Sequence, residues 1–285
     1  MTAPPKLRRG DTVALISPAG PCKPHKIDQA VNALKNIGLR TVVMNSKKHG
    51  YLADTDSQRA KNIMHAFLDP RIKGIFAARG GYGTQRLLPL LDYKLIGKNP
   101  KIFVGYSDIT ALHVAFNQHA KLITYHAPMP ATELCHPDID SYTINSFLGH
   151  IMKDALPAPK LTFTTLIQGD AKGILTGGNL SLLASSLGTP YEIDTTNKIL
   201  FMEDIDEEPY KIDRMLVQLQ QSGKLNECQA IILGSFSPQT PETLSQAINE
   251  ILIPLGKPLG VNLPCGHCLP TATLPLGEEV CFDFF

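Results

Sequence analysis

Short apolar runs alternate with amphipathic segments along the first half of the chain. The apolar runs predict strands, which we expect at residues 12–16, 41–44, 74–78, 101–105 and 122–125. Between them, apolar residues recur at helical spacing in segments 26–37, 56–68 and one that contains Leu87, Leu88 and Leu91. Strands that alternate with helices indicate a parallel sheet crossed by helices, so the pattern predicts an α/β fold.

The composition changes after residue 150, where two prolines in HIMKDALPAPK end the alternation. We expect a linker at 151–165 between an N-terminal domain, 1–150, and a C-terminal domain, 166–285. In the second domain the pattern predicts strands at 198–202, at 230–233 and at the C-terminal end, where Val280, Phe282 and Phe284 alternate with polar residues. It also predicts a turn at 176–179 that leads into a short helix, and helices at 210–222 and 242–253.

Charge and hydropathy exclude several classes of partner. The 285 residues carry 27 lysines and arginines against 26 aspartates and glutamates, a formal net charge of +1. This balance gives no electrostatic basis for binding nucleic acid or an anionic membrane. The first apolar run is interrupted by Ser17 and Pro18, unlike a secretory or membrane-spanning segment. We therefore expect a cytoplasmic protein whose ligands are small and uncharged or zwitterionic.

A serine lies where the predicted strand 101–105 meets a helix, in the sequence Gly105-Tyr106-Ser107-Asp108. A hydroxyl at such a turn projects from the carboxyl edge of the sheet, beside N–H groups that the first helical turn leaves unpaired. Ser107 is therefore either a nucleophile beside an anion site or an ordinary helix N-cap. The elbow pattern G-x-S-x-G is incomplete, because Ile109 replaces its second glycine.

A glycine-rich loop, Arg79-Gly80-Gly81-Tyr82-Gly83, follows the predicted strand 74–78. It is not a dinucleotide fingerprint, because Arg86 stands where the third glycine belongs, and it lacks the Gly-Lys-Ser/Thr ending of a phosphate loop. It is either a tight turn or a loop whose backbone N–H groups approach a ligand. Parallel strands place this loop on the same sheet edge as Ser107.

Two further residues complete a possible catalytic set. A serine nucleophile needs an imidazole as base and an acid that orients the imidazole. His126 and His267 are the candidate bases, and Glu203 closes an apolar strand at the start of an acidic run. Ser107, Glu203 and His267 supply the three roles in that order, and a site that joins them would lie in a cleft between the two domains.

Six scattered cysteines are typical of reduced thiols rather than a disulfide framework. Cys265-Gly266-His267-Cys268 matches a redox motif, but such a motif needs a helix after it, and Pro270 and Pro275 exclude one. No second Cys/His pair lies at the spacing of a zinc finger or ribbon.

The motifs taken together resemble the LD-carboxypeptidases of the S66 serine peptidase family, and the resemblance covers nearly the whole chain. The matching motifs are RGGYG at 79–83, GYSD at 105–108, TGGNL at 176–180, LFMED at 200–204, YKIDRML at 210–216 and GH at 266–267. The resemblance implies a Rossmann-like N-terminal domain, a mixed β/α C-terminal domain, a homodimer, and neither metal nor cofactor. It implies release of terminal D-alanine from murein tetrapeptides during cytoplasmic peptidoglycan recycling.

The resemblance also implies a catalytic triad at Ser107, Glu203 and His267. We add two expectations: the backbone N–H groups of Gly81 and Asp108 form the oxyanion hole, and Arg79 holds the free carboxylate of the substrate.

Two alternatives stay open. A microcin-immunity peptidase of the same family would cleave aminoacyl-nucleotide conjugates, but the resemblance implies a Trp-containing aromatic loop for that group, and this chain has no Trp. A non-catalytic cleft-binding protein would keep the cleft without requiring the triad.

Overall fold

The computed structural model describes residues 1–44, 46–240 and 242–285, which form two six-stranded sheets flanked by helices. The strands are β1 (Thr12–Ile16), β2 (Arg40–Val43), β3 (Ile72–Ala77), β4 (Ile102–Gly105), β5 (Thr124–His126), β6 (Thr164–Ile167), β7 (Gly169–Asn179), β8 (Lys198–Ile205), β9 (Ala230–Ser237), β10 (Leu259–Val261), β11 (Leu274–Leu276) and β12 (Glu279–Phe284).

The α-helices lie mostly between consecutive strands. They are α1 (Pro24–Asn36), α2 (Asp56–Leu68), α3 (Tyr93–Lys98), α4 (Thr110–Ala115), α5 (Ser141–Ile151), α6 (Leu180–Ser185), α7 (Pro209–Gln221), α8 (Lys224–Glu227) and α9 (Ser245–Ala247). Short 3-10 helices cover Gln85–Leu90, Ser107–Ile109 and Ile253–Leu255, and π-helical turns cover Phe116–Ala120 and Ile248–Leu252. No helix in the described part of the chain is both long and apolar enough to cross a bilayer.

The N-terminal sheet has the strand order β11-β5-β4-β3-β1-β2. Strands β1 to β5 pair in parallel, as the alternation of strands and helices predicts. Strand β4 is buried along its whole length, as expected for a parallel strand covered on both faces. The order of the strands places the carboxyl ends of β3 and β4, and the loops after them, side by side.

The C-terminal sheet has the order β12-β7-β8-β9-β10-β6. Its four central strands are parallel, and its two edge strands are antiparallel to their neighbours. The mixed sheet confirms the expected fold class. One strand crosses between the halves of the chain, because β11 joins the N-terminal sheet, antiparallel to β5. The predicted domain limits at 150 and 166 therefore stay a prediction.

Three predicted elements are wrong in detail. The helix expected around Leu87 is a 3-10 helix with Pro89 inside it, and a proline there removes an α-helical hydrogen bond. The helix expected at 242–253 is only one α-helical turn, followed by π and 3-10 turns up to a segment that contains Pro254. The turn expected at 176–179 is instead the end of the continuous strand β7.

The glycines of that strand end allow close contact with the neighbouring strand β8 and with helix α4 of the N-terminal half. A Cβ on Gly177 would lie 1.9 Å from the carbonyl oxygen of Phe201, and one on Gly178 would lie 2.6 Å from Thr110 Oγ1. Thr110 Oγ1 also accepts a hydrogen bond of 3.0 Å from the N–H of Asn179. Helix α4, which follows Ser107, is thus anchored on β7. Strand β7 pairs with β8, and β8 carries Glu203.

Candidate active site

Ser107 occupies a strained turn directly after β4. Tyr106 is extended, and Ser107 has a φ of 64°, a left-handed conformation that is uncommon for residues with a side chain. Within the described residues its hydroxyl forms no hydrogen bond, so the side chain does not act as an N-cap. Strained, partly exposed residues of this kind concentrate at functional sites.

The glycine loop, residues 79–83, packs directly on Ser107. A Cβ on Gly80 would lie 2.9 Å from both Cβ and Oγ of Ser107. Gly81 has a φ of 132°, and a Cβ on it would lie 2.9 Å from the backbone nitrogen of Gly20. The loop therefore needs glycine at position 80 to approach the serine and at position 81 to pack against Gly20.

We expect Gly80→Ala to lower kcat/KM about 100-fold, because the added methyl group displaces either the serine or the loop, and a shift of about 1 Å at a reacting group has an effect of this size. The measurement is steady-state kinetics together with the melting temperature. Gly256→Ala is the control: its φ is 64° and no atom of the described residues lies within 4 Å of an added Cβ, so it should lower stability and leave activity unchanged. Wild-type activity in Gly80→Ala would contradict the close approach of the loop.

Glu203 and His267 are joined across 64 residues of sequence. Glu203 lies near the end of β8 and is fully buried, and its Oε2 accepts a hydrogen bond of 2.7 Å from Nδ1 of His267. This contact assigns the proton to Nδ1 and leaves Nε2 as the basic nitrogen. Gly266, with a φ of 108°, makes the approach possible, because a Cβ there would lie 2.6 Å from Glu203 Oε2.

Glu203 and His267 each change the pKa of the other. Burial alone would lower the pKa of His267, but the hydrogen bond and the negative charge of Glu203 outweigh it and raise this pKa above its ordinary 6.5. Burial raises the pKa of Glu203, and the hydrogen bond from His267 opposes that shift only in part. A raised pKa makes the imidazole a stronger base, but the unprotonated form that accepts a proton is then populated only at higher pH.

Tyr106 connects the serine turn to the histidine. Its ring packs edge-on against the His267 ring with centroids 4.8 Å apart. No hydrogen bond joins Ser107 to His267 in the described residues, and such contacts are often loose before substrate binds. The structure therefore brings Glu203 and His267 together and places His267 against the residue next to Ser107.

Sequence reasoning missed a second carboxylate near this site, that of Glu133. Its Oε1 accepts a hydrogen bond of 2.7 Å from the Tyr106 hydroxyl, and its Oε2 accepts hydrogen bonds from Met129 N–H and the Thr132 hydroxyl. The loop after β5 has no recognisable motif, so only its proximity to Tyr106 indicates a role.

Asp204, the residue after Glu203 in the acidic run, is another acidic residue whose role sequence reasoning missed. It is buried, and its carboxylate accepts hydrogen bonds from the Asn179 side chain and from the N–H and hydroxyl of Ser181. The TGGN motif was the available signal, because its asparagine binds this carboxylate.

Two further residues that the sequence proposed for the site are Arg79 and His126. Arg79 is exposed at the start of the glycine loop, and its Nη1 lies 3.5 Å from the Pro21 carbonyl oxygen. His126, the alternative base, is 1% exposed between the rings of Tyr106 and Phe201. Neither ring nitrogen of His126 has a hydrogen-bond partner among the described residues, so it lacks an orienting acid.

The cysteines beside His267 do not have the properties of a redox centre. Cys265 is fully buried, and burial raises the pKa of both thiols, that of Cys268 to about 11. Reactive cysteines instead have lowered pKa values. In the part of the chain that the structure describes, no group of three or more His, Cys, Asp or Glu side chains is placed to hold a metal ion.

Family models match both halves of the chain. The LD-carboxypeptidase N-terminal domain matches residues 13–127, and the LD-carboxypeptidase C-terminal domain matches residues 172–282. A probable murein peptide carboxypeptidase of Bacillus subtilis is 41% identical over 295 residues, covering 98% of this chain and 91% of that protein.

Solved structures show the same fold. The muramoyltetrapeptide carboxypeptidase of Oxalobacter formigenes superimposes with a TM-score of 0.85 at 32% identity, over 95% of this chain and 94% of that one. The microcin C7 self-immunity protein MccF, solved with aspartyl sulfamoyl adenosine, gives a TM-score of 0.88 at 26% identity, over 100% of this chain and 96% of that one.

Proposed function

Because the chain belongs to the LD-carboxypeptidase family of S66 serine peptidases, we propose that it hydrolyses murein tetrapeptides and releases their terminal D-alanine. The observation that carries the chemical part of this proposal is the hydrogen bond between Glu203 and His267 beside the Ser107 turn. An imidazole that is oriented by a buried carboxylate and packs against the turn carrying a serine can activate that serine as a nucleophile.

The proposed reaction begins when Ser107 Oγ attacks the carbonyl carbon of the L,D peptide bond. Nε2 of His267 takes the hydroxyl proton and then gives it to the amine of the departing D-alanine. Glu203 holds the Nδ1 proton and stabilises the imidazolium that forms in between. Water, activated by the same imidazole, then hydrolyses the acyl-enzyme ester and restores the serine.

The negative oxygen of the tetrahedral intermediate needs hydrogen-bond donors. We assign this role to the backbone N–H groups of Gly81 and Asp108, which belong to the loop packed on Ser107 and to the turn of Ser107 itself. Loss of one such donor typically raises the barrier by about 2.7–4 kcal/mol.

Arg79 is proposed to bind the carboxylate of the terminal D-alanine. We expect Arg79→Gln to raise KM about 10- to 100-fold, since a hydrogen bond to a charged group contributes about 1.5–3 kcal/mol, and Arg79→Lys to restore part of the affinity. Arg71→Gln is the control, because that side chain is 84% exposed and forms an ion pair with Asp69. An unchanged KM in Arg79→Gln would remove Arg79 from the site.

The test of the function itself uses two tetrapeptides that differ only in the configuration of the terminal alanine. Released alanine is measured by chromatography that separates its enantiomers. We expect release from the D-terminated peptide alone. Equal release from both peptides, or none from either, would refute LD-carboxypeptidase activity.

The same assay separates the alternative of the microcin-immunity type. An aminoacyl sulfamoyl nucleoside is added as a second substrate, and cleavage of this compound in preference to the tetrapeptide would favour that alternative. The absence of Trp from the chain supports the murein substrate, because no indole is available to stack on a nucleobase.

A cytoplasmic location, a homodimeric state and a role in peptidoglycan recycling complete the proposal. They derive from the resemblance to the family, and cell fractionation with light scattering of the purified protein tests the first two.

A further inference from the structure

Asp108 follows the proposed nucleophile, yet it is 2% exposed. Its Oδ2 accepts a hydrogen bond of 2.9 Å from the N–H of Thr84, and its Oδ1 accepts one of 3.3 Å from the N–H of Gly83. The Thr84 hydroxyl donates in return to the Asp108 carbonyl oxygen. Three hydrogen bonds thus connect the Ser107 turn with the end of the glycine loop.

Arg59, which is 1% exposed, contacts the C-terminal end of the glycine loop from its other side. Its guanidinium donates to the carbonyl oxygens of Gly83, at 3.0 Å, and of Pro18. Its Nε donates to the carbonyl of Asp54 at 3.1 Å. The backbone at Gly83 is therefore fixed from both faces, by a carboxylate on its N–H and by a guanidinium on its C=O.

These contacts matter because the loop and the turn belong to different strands. The glycine loop follows β3 and Ser107 follows β4. The last registered pair of these neighbouring strands is Phe76 with Val104, so strand pairing brings the loop and the turn side by side but does not fix the contact between residues beyond the strand ends. A glycine-rich loop also has more conformations to lose than any other backbone. Donors in an oxyanion hole contribute only when they are held in place before the charge develops.

We propose that the Asp108 carboxylate is a positioning residue that holds the glycine loop against Ser107, so that the N–H of Gly81 and the serine oxygen keep a constant separation. This inference rests on the proposed serine-peptidase function. It assigns to Asp108 a side-chain role separate from that of its backbone N–H.

The test compares Asp108→Asn, Asp108→Ala and Thr84→Val with the wild type. Asparagine is isosteric, but its NH₂ group faces one of the two N–H donors and loses that hydrogen bond. Thr84→Val removes only the hydroxyl contact and keeps the shape. Asp194→Asn is the matched control, because Asp194 also accepts a backbone N–H, that of Thr196, and both residues lie outside the glycine loop and the Ser107 turn.

The first readout needs no substrate. Hydrogen exchange followed by mass spectrometry should show faster exchange in Asp108→Asn and Asp108→Ala, confined to peptides that contain residues 79–86 and 107–109. Unchanged exchange there would overturn the proposal. Faster exchange throughout the chain would overturn it too, because it would indicate a purely structural role.

The second readout is labelling by an alkyl fluorophosphonate. Ser107 Oγ forms a bond to phosphorus, fluoride leaves, and the hydroxyl proton passes to His267. We expect Asp108→Asn to slow labelling about 100-fold, Thr84→Val to slow it less, and Asp194→Asn to leave it unchanged. Labelling of Asp108→Asn at the wild-type rate would refute the inference. Labelling of the wild type without release of D-alanine would instead refute the proposed substrate and leave the positioning role standing.

Discussion

Ser107→Ala is expected to lower kcat for release of D-alanine by about 10⁶-fold, because it removes the only atom proposed to form the acyl-enzyme. The residual rate would come from binding and from the oxyanion donors, which stay in place. The measurement is a single-turnover assay with the D-terminated tetrapeptide. KM should change little, because the hydroxyl contributes to the transition state far more than to ground-state binding.

Ser57→Ala is the control for this variant, since Ser57 is an exposed serine on α2. Melting temperatures of both variants must stay near that of the wild type for the comparison to hold. A fully active Ser107→Ala protein would exclude the serine mechanism. Release of D-alanine by neither the wild type nor Ser107→Ala would instead favour the cleft-binding alternative or another substrate.

Glu203→Gln is expected to lower kcat by about 10⁴-fold, because an amide in that place no longer fixes the Nδ1–H tautomer of His267 or stabilises the imidazolium. It should also move the pH profile. Glu203 raises the pKa of His267, and the reaction needs the unprotonated imidazole, so wild-type activity should fall as the pH drops through a value above 6.5. Without the carboxylate, the residual activity should keep its level to lower pH.

Glu208→Gln is the matched control, because Glu208 belongs to the same acidic run and is exposed. It should leave both kcat and the acid limb of the profile unchanged. A Glu203→Gln protein with the wild-type acid limb would show that another group sets the pKa. In that case Asp204 and Glu133, whose charges also act on His267, are the first to examine.

The architecture was predictable from the sequence to a large extent, because strands and helices follow from the spacing of apolar residues within short windows. The parallel strands β1, β3 and β4 lie where alternating runs predict them. One error arose because the same local sequence feature, a pair of glycines, occurs both in turns and where two backbone segments pack closely. Gly177 and Gly178 have the composition of a turn, but their lack of side chains instead allows close contact with Phe201 and Thr110.

The sequence predicted which residues form the candidate site, but it predicted their positions in space only in part. Ser107 and the glycine loop follow neighbouring parallel strands, so their shared sheet edge follows from the order of elements. Glu133 and the side-chain contacts of Asp108 were not predictable, since nothing in the local sequence indicates which distant N–H or hydroxyl a carboxylate will meet.

By itself, the sequence determined the alternation of strands and helices in the first half of the chain, the resemblance to one peptidase family and the residue types available for catalysis. Only the tertiary structure decided that His267 meets Glu203 at 2.7 Å, that β11 returns to the N-terminal sheet, and that Asp108 connects two loops. The physical reason is the range of the interactions involved. Periodicity and capping act over a few residues, whereas these contacts join segments that only the packing of two sheets brings together.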